Sequence, residues 1–216
     1  MADATRSTLG DHPYRRFNLE ELGLLPEDWR EQVLAIAGSH SLFVHLDGKS
    51  PTSLEPADSE GSDYYVVSGD LVAMHLGWLY NLYCSDLMEI VASVSGRAMC
   101  VSSDIQYGIN VNILKGCGAR YEWHIDSNPF TGILFVTSHI ASEGGALVIR
   151  PWSHGEGLVI EPRAAEFVVF QAGSVPHSVA PLKEDVARIS IPMSYFFQGQ
   201  EAVVSGDLTS YLFKSK

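Results

Sequence analysis

Only three cysteines occur in 216 residues (Cys84, Cys100 and Cys117), and none lies in a Cys-x-x-Cys pair. That scarcity excludes a disulfide framework and a zinc knuckle, and it suits a reducing, cytoplasmic setting. The opening MADATRSTLGDHPYRR carries no hydrophobic stretch of the secretory kind. Basic residues are also scarce: 14 Lys+Arg stand against 26 Asp+Glu, a net charge of -12. Such a chain is repelled by phosphate backbones and anionic lipid, which argues against nucleic acid or a membrane as partner. No uncharged run exceeds sixteen residues, too short for a membrane-spanning helix. There is no internal repeat. What remains is a chain that is 46% hydrophobic, long enough for a single domain over residues 1–216 with a sizeable core.

The pattern changes midway. Residues 1–17 are polar and expected to be loose. Residues 18–100 read as helical support and loop. Pro26-Glu27-Asp28 resembles a helix start, and Trp29, Val33, Leu34 and Ala37 follow at helical spacing. The stretch 47–63 (DGKSPTSLEPADSEGSD) is an acidic Pro/Ser/Gly loop with the composition of a connection or a lid. Asp70 to Ser95 carries an apolar stripe for one or two helices, with Ser85-Asp86 placed to cap the second. From Ile105 the period becomes two. Short apolar runs at 105–114, 121–126, 130–139, 145–150, 157–161, 166–171, 175–180 and 187–197 are parted by Gly, Pro and Asn. Eight short strands without intervening helices predict a mainly β sandwich, barrel or jelly roll buttressed by the N-terminal helices. Residues 200–216 are expected to fold back as a C-terminal cover.

Two His-x-Asp triplets occur, His45-Leu46-Asp47 and His124-Ile125-Asp126, where chance predicts about 0.4. Context separates them. His45 and Asp47 precede the acidic loop and read as a surface pair. His124 and Asp126 lie in a strand run, where residues i and i+2 share a face. His177, on another short strand, adds a second imidazole. Together they make a 2-His-1-carboxylate set, which leaves three positions of an octahedral Fe(II) open. An anionic cosubstrate would need a fixed cation, and Arg188 lies one strand beyond His177, sharing a face with Ser190. His154 reads as a turn residue, Trp78, Trp123 and Trp152 as core, and Arg120, Glu122 and Arg150 as ordinary surface.

The run Gly118-Ala119-Arg120-Tyr121-Glu122-Trp123-His124-Ile125-Asp126 resembles the G-x-x-Y-E-x-H-x-D segment of prolyl-4-hydroxylase-type 2-oxoglutarate/Fe(II) dioxygenases. Gly144-Gly145-Ala146-Leu147 resembles that family's Gly-Gly-x-Leu strand, and Pro151-Trp152-Ser153-His154 the P-G-S-H turn of its phytanoyl-CoA-hydroxylase-like branch. His177 and Arg188-x-Ser190 match its distal ligand and carboxylate clamp. The resemblance implies a double-stranded β-helix (jelly-roll, cupin-like) catalytic core over residues 105–197. It implies Fe(II) on His124, Asp126 and His177, 2-oxoglutarate on Arg188 and Ser190, O2 as oxidant and ascorbate as a supporting reductant. A Tyr common in the family nine or ten residues before the first ligand is replaced here by Leu114 or Lys115. Alternation puts Asn110, Asn112 and Leu114 on one face, so Asn112 is the candidate for the lost polar contact.

Halogenases of the superfamily carry Gly or Ala where this chain has Asp126, so hydroxylation, desaturation or cyclisation is implied instead. The expected substrate is a small molecule, amino-acid-like or from specialised metabolism, turned over by a monomer or homodimer. Two other readings stand beside it. A peptidyl, prolyl-type hydroxylase would need a long open groove, and a cupin-like isomerase or sugar-binding barrel would have no use for Arg188.

Overall fold

The computed structural model describes residues 12–46, 52–56, 62–151 and 157–200. Along the chain lie β1 (Tyr14–Asn18), α1 (Trp29–His40), β2 (Leu42–Leu46), β3 (Ser62–Val67), α2 (Gly69–His75), α3 (Gly77–Cys84), α4 (Asp86–Ser95), β4 (Met99–Val101) and α5 (Ile105–Gly108). Then come β5 (Val111–Lys115), β6 (Tyr121–His124), β7 (Phe130–Phe135), β8 (Leu147–Ile149), β9 (Leu158–Ile160), β10 (Glu166–Phe170), β11 (His177–Val179) and β12 (Ala187–Phe197).

The strands form two antiparallel sheets. The larger has the order β1-β10-β7-β12-β5-β3-β2, with β4 also on β12, and the smaller has the order β6-β11-β8-β9. This is the expected double-stranded β-helix. Period-two alternation decides what each strand of the large sheet does with its two faces. On β12, Ile189, Ile191, Met193 and Tyr195 join the core shared with the helices. The alternate residues Arg188, Ser190, Pro192 and Ser194 line an internal cavity. β5 repeats the pattern, with Val111 and Ile113 toward the helices and Asn110, Asn112 and Leu114 toward the cavity. Beyond the cavity, Ile133, Phe135, Val168 and Phe170 of the large sheet meet Leu147, Ile149 and Ile160 of the small one in a second buried cluster.

The helices cover the outer face of the large sheet through Val33, Leu79, Leu87 and Val91. The stripe from 70 to 95 is three helices rather than one or two. Ser85 does not cap α4 through its side chain; its hydroxyl donates to Asn81 O at 2.8 Å.

Several expectations need correction. Residues 14–17 are not loose: they form most of β1, which pairs with β10, with Arg16 bonded to Glu166 at 3.0 Å and Phe17 against the core. Segment 18–100 supplies three strands besides its helices. Run 105–114 is broken, because Asp104 accepts from the amides of Gln106 (3.0 Å) and Tyr107 (3.4 Å) and starts α5 before β5 begins. Of the acidic loop, residues 52–56 lie along β6, with Leu54 N donating to Trp123 O and Ile125 N to Thr52 O. The C-terminal cover beyond residue 200, along with Asp47, Trp152 and His154, lies outside the described residues.

Candidate metal centre

β11 runs antiparallel to β6 with His177 directly opposite His124, and their rings sit 4.1 Å apart. Asp126 follows β6 and is fixed by its own amide, which donates to Ala172 O. One ligand atom from each of His124, Asp126 and His177 lies within 4.8 Å of the others, and no other such group occurs among the described residues. His124 Nε2 is 3.3 Å and His177 Nε2 3.6 Å from the same oxygen, Asp126 Oδ1.

The ring tautomers follow from the other nitrogens. His124 Nδ1 lies 2.8 Å from Glu122 O, and His177 Nδ1 lies 3.0 Å from Val175 O. A carbonyl only accepts, so both Nδ1 atoms carry hydrogen and both Nε2 atoms of the neutral rings present lone pairs. Two imidazole lone pairs and a carboxylate oxygen aimed at one point repel unless a cation joins them. This is the donor chemistry of a divalent metal site, with each imidazole oriented by a backbone carbonyl. Burial raises the Asp126 pKa, but His177 and His124 outweigh it and hold the carboxyl well below its usual range. Burial lowers His124, yet Asp126 carries it above its ordinary value; burial and the neighbouring His124 lower His177.

Arg188 lines the same cavity and is 2% exposed. Its Nε donates to Gly145 O at 2.7 Å and its Nη1 to Ser190 Oγ at 2.8 Å, while Nη2 is buried with no partner among the described residues. Burial alone lowers its pKa to about 10. A buried guanidinium with an idle donor and, among the described residues, no carboxylate paired with it is costly, and it marks a place shaped for an anion. The Gly-Gly pair makes this possible. Gly145 has φ +74°, and a Cβ there would sit 2.9 Å from Leu182 Cδ2 and 3.2 Å from Arg188 Cδ. Asn112 faces the cavity opposite Ser190, its Oδ1 buried and unpartnered.

The cavity measures about 110 Å³. Several residues on it escaped the sequence reading, Tyr121 and Tyr64 among them. Over β11's His177–Val179, β6 spends one residue more, from His124 back to Tyr121. That bulge turns Tyr121 onto the same side as His124, with ring centroids 4.9 Å apart. Tyr64 of β3 meets Tyr121 edge-on at 5.3 Å. Tyr121 was legible only inside the motif and Tyr64 not at all, since it follows the acidic loop. Among the residues assigned to ordinary surface, Arg150 stacks on Trp123 at 4.5 Å, and Arg120 forms a two-pronged pair with Glu55 (2.5 and 2.7 Å). Glu122 is not a surface residue: it is 1% exposed, with Oε2 unpartnered. His45 pairs with Asp63 at 2.7 Å on an exposed strand pair, apart from the metal cluster. Trp78 packs against the core as expected and donates to Gln32.

No curated protein is a significant sequence match for the chain. Solved structures share the fold. A prolyl hydroxylase from Trichoplax adhaerens, in complex with a hypoxia inducible factor peptide fragment, is 20% identical with TM-score 0.64, over 92% of this chain and 90% of that one. HygX from Streptomyces hygroscopicus, with nickel and 2-oxoglutarate bound, is 8% identical with TM-score 0.60, over 86% and 83%. The carbocyclase SnoK from nogalamycin biosynthesis is 13% identical with TM-score 0.61, over 94% and 87%. Residues 109–196, which run from the start of β5 almost to the end of β12, match the family model described as the 2OG-Fe(II) oxygenase superfamily. That segment is similar to the 2OG-Fe(II) oxygenase superfamily, and the chain as a whole shares the fold of these solved structures.

Proposed function

We propose that the protein is an Fe(II)- and 2-oxoglutarate-dependent oxygenase that oxidises a C–H bond of a small molecule. One observation carries the reading: three converging lone-pair donors and an idle buried guanidinium face one cavity. Either feature alone has a mundane explanation. Together they fit a divalent metal and a dicarboxylic oxo acid bridging to a cation.

His124, Asp126 and His177 would hold the iron. Arg188 and Ser190 would take the distal carboxylate, with Nη2 gaining the partner it lacks. Asn112 would join them with its amide nitrogen turned inward, since its present Oδ1 repels a carboxylate. Leu114, Ile133 and Leu147 would keep water from the reacting atoms. When bound, the iron and the oxo acid supply activation of O2, yielding succinate, CO2 and one oxygen atom's worth of substrate oxidation.

The compact cavity supports a small substrate, and the net charge of -12 speaks against nucleic acid. Among the described residues no helix is long and apolar enough to cross a membrane, and the three cysteines are free, as a cytoplasmic monomer or homodimer would have them. The nogalamycin carbocyclase and the prolyl hydroxylase mark the range of outcomes open to this fold.

The test counts succinate formed from 2-oxoglutarate in air, with and without Fe(II), across amino acids, specialised metabolites and prolyl peptides. Iron-dependent succinate stimulated by a small molecule is expected. Stimulation by peptides alone would move the assignment to a peptidyl hydroxylase. A metal-loaded protein that never consumes 2-oxoglutarate would leave the cupin-like reading.

A further inference from the structure

Asp126 offers two oxygens, and the surrounding hydrogen bonds treat them differently. Oδ1 faces both imidazoles, whereas Oδ2 is bonded to Thr131 Oγ1 at 2.5 Å. Thr131 is the cavity-facing residue of β7 next to Phe130, 3% exposed. Its hydroxyl has one hydrogen, and the neighbouring groups decide where it points. Asn128, fully buried, sets Nδ2 2.6 Å from Phe130 O and 2.8 Å from Thr131 Oγ1. A carbonyl only accepts, so the amide nitrogen must face Phe130. Tyr107 fixes the other end of the same amide, its hydroxyl donating to Asn128 Oδ1 at 2.8 Å. Asn128 therefore donates to Thr131, and the threonine hydrogen is left for Asp126 Oδ2. Tyr107 keeps its own proton at any working pH, because burial pushes its pKa above the range of ordinary tyrosines.

We propose that Thr131 is a positioning residue that occupies Oδ2 of Asp126, so that the carboxylate offers the metal Oδ1 alone, with Asn128 and Tyr107 fixing the direction of that bond. This inference rests on the metal site proposed above. One-pronged ligation matters because a carboxylate that chelates through both oxygens takes a position that the cosubstrate or O2 needs. The chain Tyr107–Asn128–Thr131 also joins one wall of the cavity to the ligand. Hydrogen-bond partners of ligating groups commonly change metal affinity 10- to 100-fold when removed.

The test titrates Co(II), in the absence of oxo acid and O2, into the intact protein and its variants, reading affinity by calorimetry and coordination by visible absorption. Thr131→Val, which keeps the shape and deletes the hydroxyl, should weaken Co(II) binding roughly tenfold or more. It should also change the visible bands as both oxygens of Asp126 reach the metal. Thr131→Ser should restore both readouts, which a merely packing role would not predict. Tyr107→Phe, which frees the far end of Asn128, should give a smaller loss in the same direction, and it decides the matter if Thr131→Val does not fold. Wild-type affinity and spectrum in Thr131→Val, or in Tyr107→Phe where that variant decides, overturns the proposal. Asp126→Ala separates the two levels. If it abolishes Co(II) binding while Thr131→Val is silent, only the positioning role fails; if it binds Co(II) unchanged, the metal site itself fails.

Discussion

Replacing Arg188 by leucine should separate cosubstrate binding from folding. Without a bound anion the guanidinium would be a liability. Burial alone carries its pKa from the ordinary arginine range down to about 10, a fall of more than two units. Each unit is worth about 1.4 kcal/mol, so carrying the charge at neutral pH costs the fold on the order of 3 kcal/mol. The sign follows from the direction: a base whose pKa is lowered on folding destabilises below the folded value, and the penalty fades as pH rises from about 10 toward the ordinary arginine range. Leucine removes that cost. It also removes the bonds to Gly145 O and Ser190 Oγ, each worth roughly 1.5–3 kcal/mol as bonds to a charged group. These effects oppose one another at similar size, so the melting temperature of the apo protein should move by only a few degrees.

Cosubstrate binding has no such compensation. Loss of a buried charge pair costs about 2–5 kcal/mol, so the 2-oxoglutarate Kd should rise by roughly 30-fold to several-thousand-fold. Scanning fluorimetry of the Mn(II)-loaded protein reads both quantities. Ligand at 100 times Kd adds ~2.7 kcal/mol of stability, and the variant should lose most of that shift. A variant that keeps the wild-type response to 2-oxoglutarate contradicts the role of Arg188 as carboxylate clamp, and one that collapses without ligand contradicts the balance of costs.

Two further outcomes can be checked. Gly145→Ala forces a side chain into φ +74° and against Leu182 and Arg188, so it should cost roughly 1–3 kcal/mol, visible as a lowered chemical-denaturation midpoint, with a reduced 2-oxoglutarate shift. Glu55→Gln should loosen the 52–56 segment, measured by faster amide exchange at Leu54 and Ile125. The Arg120 bond outweighs burial and holds the Glu55 pKa below its ordinary value, so the pair's contribution is complete above the ordinary glutamate range and drains away as pH falls through the lowered value; the variant should lack this acid sensitivity.

The candidate metal-binding cluster was legible because the chemistry is local in type: one run supplies His124 and Asp126, and few residue kinds can complete the set. Arg188 and Ser190 were legible by alternation, as was Asn112. Alternation is also where the reading ran out. The bulge opposite β11 breaks the period within the motif, so Tyr121 faces inward and no count of twos could have predicted it. Tyr64 was hidden for another reason: β3 owes its place to pairing with β5, a long-range contact. β1 looked loose because its Arg15 and Arg16 belong to a sheet edge, where charged side chains reach solvent. Thr131 and Asn128 carried no signal of their own. Both are short polar residues, Asn128 just before β7 and Thr131 within it, and only their mutual hydrogen bonds give them meaning.

The ribbon of β12 divides labour by parity. Its odd-numbered side chains (Ile189, Ile191, Met193, Tyr195) hold the protein together, while its even-numbered ones (Arg188, Ser190, Pro192, Ser194) line the cavity. A lineage can therefore rewrite the even positions and explore new chemistry without loosening the scaffold. Compensating exchanges at the odd positions can restore robustness without touching selectivity. Libraries that randomise Pro192 and Ser194 while sparing their neighbours should yield folded proteins at a much higher rate than libraries of equal size at Ile191 and Met193.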